Sequence, residues 1–143
     1  MKFLTLSKFL LIIILPFLLF LLMLNFFGFD NLFYKEKFSE YGVQQNVPNA
    51  VSLHEKVINF IKGEDNQLPN DFNEKEKQHL LDVRNAIDFS TMLLYIFIIL
   101  FVLLLIASAF ALKVNNYIVN FVGKILVFGG FLTIILAGIL FLL

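Results

Sequence analysis

The chain has 143 residues, of which 59% are hydrophobic, and its 11 basic and 11 acidic side chains give a formal net charge of zero. It contains no cysteine, which excludes disulfides, thiolate metal sites and a lipid-bearing cysteine of its own. Every acidic residue lies between Asp30 and Asp88, whereas the flanking segments are almost entirely apolar. This pattern predicts an all-α membrane protein with three transmembrane helices and a small helical extracytoplasmic domain between spans one and two.

Three apolar runs are long enough to cross a membrane. We expect the transmembrane helices at residues 9–29, 91–112 and 125–143, because about 20 apolar residues cross a hydrocarbon core of ~30 Å. The first run is longer than the apolar core of a signal peptide and has no small-x-small cleavage pattern at its end. We therefore expect it to be an uncleaved membrane anchor.

The lysines outside the acidic block predict the orientation. Lys2 and Lys8 precede the first span, and Lys113 and Lys124 flank the short connection between the second and third spans. Short loops rich in lysine and arginine stay in the cytoplasm. The prediction is a multi-pass protein of the cell membrane with a cytoplasmic N-terminus at 1–8, an extracytoplasmic domain at 30–90 and a cytoplasmic loop at 113–124.

The polar domain is predicted to be mostly helical after a short irregular lead. Phe38–Val43 has the weak pattern of an extended piece. Ser52 and Glu55 have the spacing of a capping box, which favours a helix from Leu53 to Lys62. Gly63 then suits the C-terminal end of that helix.

A long helix is predicted from Glu74 into the second span. Asn73 and Glu76 form another capping-box pair, and neither glycine nor proline occurs from 72 to 122. Such a helix would hold its side chains rigidly, which favours a precise site. Its apolar stripe before the membrane consists of Leu80, Val83 and Ile87.

Four polar residues on this helix are candidates for chemistry. Glu76, His79 and Asp82 follow one another at i, i+3 spacing and form a connected row, and Arg84 lies on the other flank of the stripe. A histidine between two carboxylates has its tautomer fixed and its protonated form favoured, which suits a general base or acid near neutral pH. The row therefore predicts a catalytic site.

Structural interpretations remain open beside this hypothesis. Glu76 alone could be a helix cap, His79 a surface histidine, and Asp82 and Arg84 a solvated pair. A carboxylate-bridged metal site would need four helices with further carboxylates. His54 lies on the apolar face of its own helix, and we interpret it as a hydrogen-bonded core histidine.

The segment from Phe72 to Arg84 has the pattern Phe-x-x-x-Glu-x-x-His-Leu-x-Asp-Val-Arg and stands directly before the second span. Tyr41-Gly42-Val43 and the Leu53–Gly63 segment precede it. In this arrangement, residues 30–143 resemble the lipoprotein intramolecular transacylase (Lit) family of prokaryotic membrane proteins.

The resemblance implies a four-span protein that acts on the outer leaflet. It would move the sn-2 acyl chain of a lipoprotein's diacylglycerol to the α-amine of the N-terminal cysteine, which leaves a lyso-form lipoprotein. His79 would act as base and then acid, oriented by Glu76 or Asp82, and Arg84 would hold the carbonyl oxygen or the oxyanion. The substrate amine is the nucleophile, which agrees with a chain lacking both Cys and Gly-x-Ser-x-Gly.

Family members continue into a second outer segment, with another functional histidine, and a fourth span. This chain stops at Leu143, so we interpret it as a fragment or a shortened member. The alternative function is that of a non-catalytic membrane protein whose helical domain docks a partner. We expect membrane lipids and diacylated lipoprotein N-termini as partners, and no nucleic acid, cofactor or metal.

Overall fold

A computed structural model of the chain describes residues 2–68, 72–112 and 117–142. Helices account for most of these residues, and no strand occurs within the described ranges, so the prediction of an all-α fold is confirmed. The helices are α1 (Lys2–Phe27), α2 (Asn31–Glu40), α3 (Val43–Asn46), α4 (Ala50–Ile61), α5 (Glu74–Ala111) and α6 (Tyr117–Leu142).

Three of the helices, α1, α5 and α6, contain stretches long and apolar enough to cross a membrane. They begin before the predicted spans, α1 at Lys2, α5 at Glu74 and α6 at Tyr117, whereas α1 ends at Phe27 and α5 at Ala111, slightly short of the predicted ends. An apolar run marks only the part of a helix that suits hydrocarbon, while the backbone hydrogen bonds continue into its polar ends. Lys113 of the predicted inner loop and Leu143 of the predicted third span lie outside the described residues.

The chain divides into two compact units. One consists of Met1–Leu22 with Leu93–Leu143, and the other of Met23–Met92. We call the first the membrane-helix unit and the second the helical subdomain.

In the membrane-helix unit, α1 and α5 pack through one polar and one aromatic contact. Ser7 and Ser108 share a hydrogen bond of 2.6 Å between their hydroxyl groups, and each residue is only 1% exposed. The Phe17 and Phe97 rings meet edge to face with their centroids 6.3 Å apart. Hydrogen bonds between serine side chains stabilise helix pairs in lipid, so this pair specifies how the two helices align.

Helix α6 approaches α1 at a glycine in the same unit. A Cβ atom on Gly129 would lie 2.7 Å from the Cδ2 atom of Leu15, which only a glycine avoids. Gly130 and Gly138 have no described neighbour within 4 Å of such an atom. Of these three glycines, only Gly129 therefore allows a close approach between helices, as small residues do in membrane helix pairs.

In the helical subdomain, the first helix replaces the predicted irregular lead. The Asp30 carboxylate accepts a hydrogen bond of 2.9 Å from the Leu32 amide and caps α2. The prediction of an extended piece at Phe38–Val43 is wrong, because α2 continues to Glu40 and α3 begins at Val43. Gly42, with φ of +60°, forms the turn between the two helices.

Helix α4 starts earlier than predicted. It begins at Ala50 after Asn49, whose side chain makes no capping hydrogen bond. The Ser52–Glu55 capping box is wrong because both residues lie inside the helix, and Glu55 instead pairs with Lys35 at 2.5 Å. The helix presents four buried side chains to the core of the subdomain, which are Ala50, Ile58, Phe60 and Ile61.

Candidate functional site

The first turn of α5 is fixed by a capping box that the sequence predicted. The Asn73 amide donates to the Glu76 carboxylate at 2.8 Å, and the Glu76 amide donates to the Asn73 side-chain oxygen at 3.0 Å. Two backbone N–H groups that would otherwise lack a helical partner are thereby satisfied. This cap sets the helix start, and it therefore sets the position of His79 one turn later.

His79 lies in a shallow depression open to solvent. The depression combines an aromatic ring, an aliphatic side chain, a cation and a carboxylate around the imidazole. We call it the His79 groove, and it is lined by Phe72, Lys75, Glu76, His79 and Leu80. His79 is exposed, so its ring nitrogens are accessible for proton transfer to a bound molecule.

The predicted row of carboxylates is only partly assembled around His79. Glu76 lines the same groove, but its carboxylate accepts the Asn73 amide. Asp82 accepts a hydrogen bond of 3.2 Å from the Gln78 side chain. The imidazole of His79 has no hydrogen-bond partner among the described residues. Both carboxylates are exposed, so their surface bonds are weak and can exchange with a substrate.

Arg84 is directed to a different part of the subdomain. Its guanidinium carbon lies 5.1 Å above the centre of the Phe60 ring. Its two terminal nitrogens lie 3.4 Å from the Asp65 carbonyl oxygen and the Asn66 side-chain oxygen. The structure therefore does not bring Arg84 together with His79, and the prediction that it contacts a reacting oxygen remains a hypothesis from the sequence.

His54 occupies the contact between α2 and α4. Its ring centre lies 4.5 Å from that of Tyr34 and 5.3 Å from that of Phe38. The Nε2 atom is buried and has no hydrogen-bond partner among the described residues. Burial lowers the pKa of His54 below its ordinary value, and the nearby Glu55 carboxylate partly opposes that shift. The predicted packing role is confirmed, but the expected hydrogen bond to Nε2 is absent.

A polar cluster between the end of α1 and α5 was missed by the sequence analysis. The Asn25 side chain donates to the Ser90 hydroxyl at 3.2 Å. The Thr91 hydroxyl lies 2.6 Å from the Asn25 side-chain oxygen and 2.9 Å from the Ile87 carbonyl oxygen. The available signal was an asparagine that interrupts an apolar run, because such residues seek polar partners on neighbouring helices.

The long apolar helices indicate a membrane protein, and its helical subdomain carries an exposed histidine in an open depression. The profile of the lipoprotein intramolecular transacylase Lit family matches residues 9–143. The chain belongs to this family, as the resemblance predicted. Membership supports a lipoprotein-modifying transacylase function in general terms, with a lipoprotein substrate in a membrane. No curated protein and no solved structure matches the chain.

Proposed function

We propose that this protein transfers the sn-2 acyl chain of a diacylglyceryl lipoprotein to the amine of the lipoprotein's N-terminal cysteine, and that His79 moves the proton. The observation that carries the proposal is the His79 groove. An exposed imidazole lies there beside a carboxylate and two apolar side chains, Phe72 and Leu80. The apolar lining suits a lipid-bearing substrate, and the imidazole suits acid–base chemistry.

The reaction balances without a nucleophile from the protein. The cysteine amine attacks the sn-2 ester carbonyl and forms a tetrahedral oxyanion, while His79 accepts the amine proton. Collapse of this intermediate breaks the bond to the glycerol oxygen, and His79 returns the proton to that oxygen. The products are an amide on the cysteine and a free hydroxyl on the glycerol. Glu76 and Asp82, which lie one turn to either side, stabilise the imidazolium formed between these two steps.

A labelled substrate tests the reaction directly. The probe is a synthetic peptide with an S-diacylglyceryl N-terminal cysteine and an isotopic label in the sn-2 acyl chain. With the full-length protein in bilayers, we expect the label to move to the cysteine amide while the total mass stays constant. Release of labelled free fatty acid would instead show hydrolysis and contradict the proposal.

A second candidate function is docking without catalysis. The observation that favours it is another open depression on the subdomain, which combines amide and apolar side chains. We call it the loop groove, and it is lined by Phe60, Asn66, Gln67, Leu68, Lys77 and Leu81. If the protein only docks a partner, the labelled peptide will bind and be recovered unchanged.

The proposal requires the helical subdomain to face away from the cytoplasm. Lys2 and Lys8 precede the first span, and Lys113 and Lys124 lie between the second and third, which favours a cytoplasmic position for both segments. A reporter that is active only outside the cytoplasm should be active when it is fused after Asn66 and silent when it is fused after residue 115. The reverse pattern would move the His79 groove to the cytoplasmic side and contradict the proposed substrate.

A further inference from the structure

The turn after α4 contacts the guanidinium of Arg84. The Gly63 amide donates to the Phe60 carbonyl at 3.1 Å, and the Glu64 and Asp65 amides donate to the Asn59 carbonyl at 2.9 and 3.2 Å. These bonds end α4 tightly and reverse the chain. The reversal carries the Asp65 carbonyl to Arg84, which donates to it from the neighbouring helix α5.

Gly63 allows the close approach. Its φ of +76° lies in the left-handed region, where a side chain would be strained. A Cβ atom at this position would also lie 3.3 Å from the Nη2 atom of Arg84. The turn therefore favours a glycine at this position, and a larger residue would also have to displace the Arg84 guanidinium by a few tenths of an ångström.

The guanidinium of Arg84 also packs on the buried ring of Phe60. The Phe60 side chain is only 3% exposed, and the guanidinium lies over its ring. A cation over an aromatic ring is stabilised by the negative face of the ring. The guanidinium is therefore held from one side by Phe60 and engaged at its edge by the turn, with hydrogen bonds to Asp65 and Asn66 that are long at 3.4 Å.

The direction of Arg84 separates it from the His79 groove. The two residues are five positions apart on one α-helix, and at about 100° per residue their side chains project about 140° apart around the helix axis. Asn66, which Arg84 contacts, is part of the lining of the loop groove together with Gln67 and Leu68. Arg84 therefore contacts the lining of the loop groove and is directed away from the imidazole of His79.

We propose that Arg84 is a positioning residue that holds the 63–66 turn against α5 and so keeps Asn66, Gln67 and Leu68 in place as a substrate-contacting wall. The assignment to substrate rests on the proposed function. Asn66 and Gln67 supply the donors and acceptors that a peptide backbone needs, and Leu68 and Leu81 supply apolar surface. The occupant is the peptide that follows the lipid-bearing cysteine.

The experiment compares Arg84→Gln, Arg84→Lys and Gly63→Ala in the full-length protein, with the labelled diacylglyceryl peptide as substrate. Hydrogen–deuterium exchange of residues 63–68 is measured on the same samples. We expect faster exchange in this segment for all three variants, with the smallest change for Arg84→Lys, because lysine keeps the charge over Phe60 but lacks the guanidinium fork. We expect KM for the peptide to rise about tenfold in Arg84→Gln and Gly63→Ala, while kcat changes less than about threefold.

Two results would overturn the positioning role. One is a fall in kcat of about 10²-fold or more for Arg84→Gln with unchanged exchange at 63–68, since that is the signature of a lost oxyanion donor. The other is faster exchange with no change in KM, which would leave Arg84 a purely structural residue. The exchange measurement does not depend on turnover. An inactive wild-type protein would therefore contradict the proposed function, and the exchange of residues 63–68 would still test whether Arg84 holds the turn.

Discussion

The helical subdomain contains two histidines in opposite environments. His54 is packed between Tyr34 and Phe38, with a buried Nε2 atom that has no partner among the described residues. His79 is exposed at the start of α5, in a groove that also contains Glu76. One ring is part of the packing between two helices, and the other is accessible to a substrate.

Residue type alone therefore does not identify a reactive histidine. An imidazole needs access to a proton donor or acceptor on the substrate, and the Nε2 atom of His54 is buried where the ring packs against Tyr34 and Phe38. His79 has access, and the capping box of α5 holds its backbone in place. The following predictions test this contrast.

The largest effect on stability is expected for His54→Ala. Removing a ring packed between two helices should lower the free energy of unfolding of the subdomain by about 2 kcal/mol. His54→Phe is the matched control, because it keeps the ring and removes the buried nitrogen, so it should be neutral or stabilising. Opening can be followed by thiol labelling of an Ala50→Cys variant, since the chain has no cysteine and Ala50 is 8% exposed. Equal losses in both His54 variants would contradict the packing role.

A smaller loss is expected for Glu76→Ala. It removes the acceptor of the Asn73 amide, which should destabilise the start of α5 by about 0.5–1 kcal/mol. Hydrogen exchange over residues 73–80 measures the change. Exchange that is identical to that of the wild type would show that the capping box contributes nothing.

Glu76→Gln separates the cap from the charge. Glutamine also completes a capping box, so the stability should change by well under ~1 kcal/mol. We expect turnover to fall about threefold, because the negative charge that stabilises the imidazolium of His79 during proton transfer is lost. A variant with an unchanged rate would leave Glu76 with only its structural role.

The smallest effect is a pH dependence of the subdomain's stability. Burial lowers the pKa of His54 in the folded state below the ordinary value of 6.5. As the pH falls below 6.5, the unfolded chain therefore binds more protons at this position than the folded chain does, and the free energy of unfolding decreases. The decrease continues until the pH passes the folded-state pKa. Thiol labelling at Ala50→Cys between pH 7.5 and 5 should show this slope, and His54→Phe should reduce it. Identical slopes would assign the pH dependence to other groups.

The parts that the sequence predicted are those set by local interactions. The capping box of α5 depends on residues three positions apart, and the apolar spans depend on composition within one run. The start of α4 was missed because a Ser-x-x-Glu pattern fits a helix interior as well as its start. Glu55 in fact pairs with Lys35, which is twenty positions away in the chain.

The parts that the sequence could not predict are contacts between helices distant in the chain. Arg84 shares its helix with His79, and spacing alone placed it near the candidate site. Its partners Phe60 and Asn66 belong to α4 and the following loop, and only the packing of those elements shows that the guanidinium turns toward them. The same limit applies to Ser7 and Ser108, whose hydrogen bond joins residues 101 positions apart in the chain.

The most direct test of the account is a comparison of His79→Ala with His54→Phe in the full-length protein. Mass spectrometry of lipoprotein N-termini would measure the lyso-form, with membrane abundance of each variant as the control. We expect His79→Ala to lower formation of the lyso-form by about 10²-fold or more at normal abundance, because the proton-transfer group is lost. We expect near-normal formation in His54→Phe. Equal activity of His79→Ala and the wild type, or a selective loss in His54→Phe, would contradict the assignment of the reactive histidine.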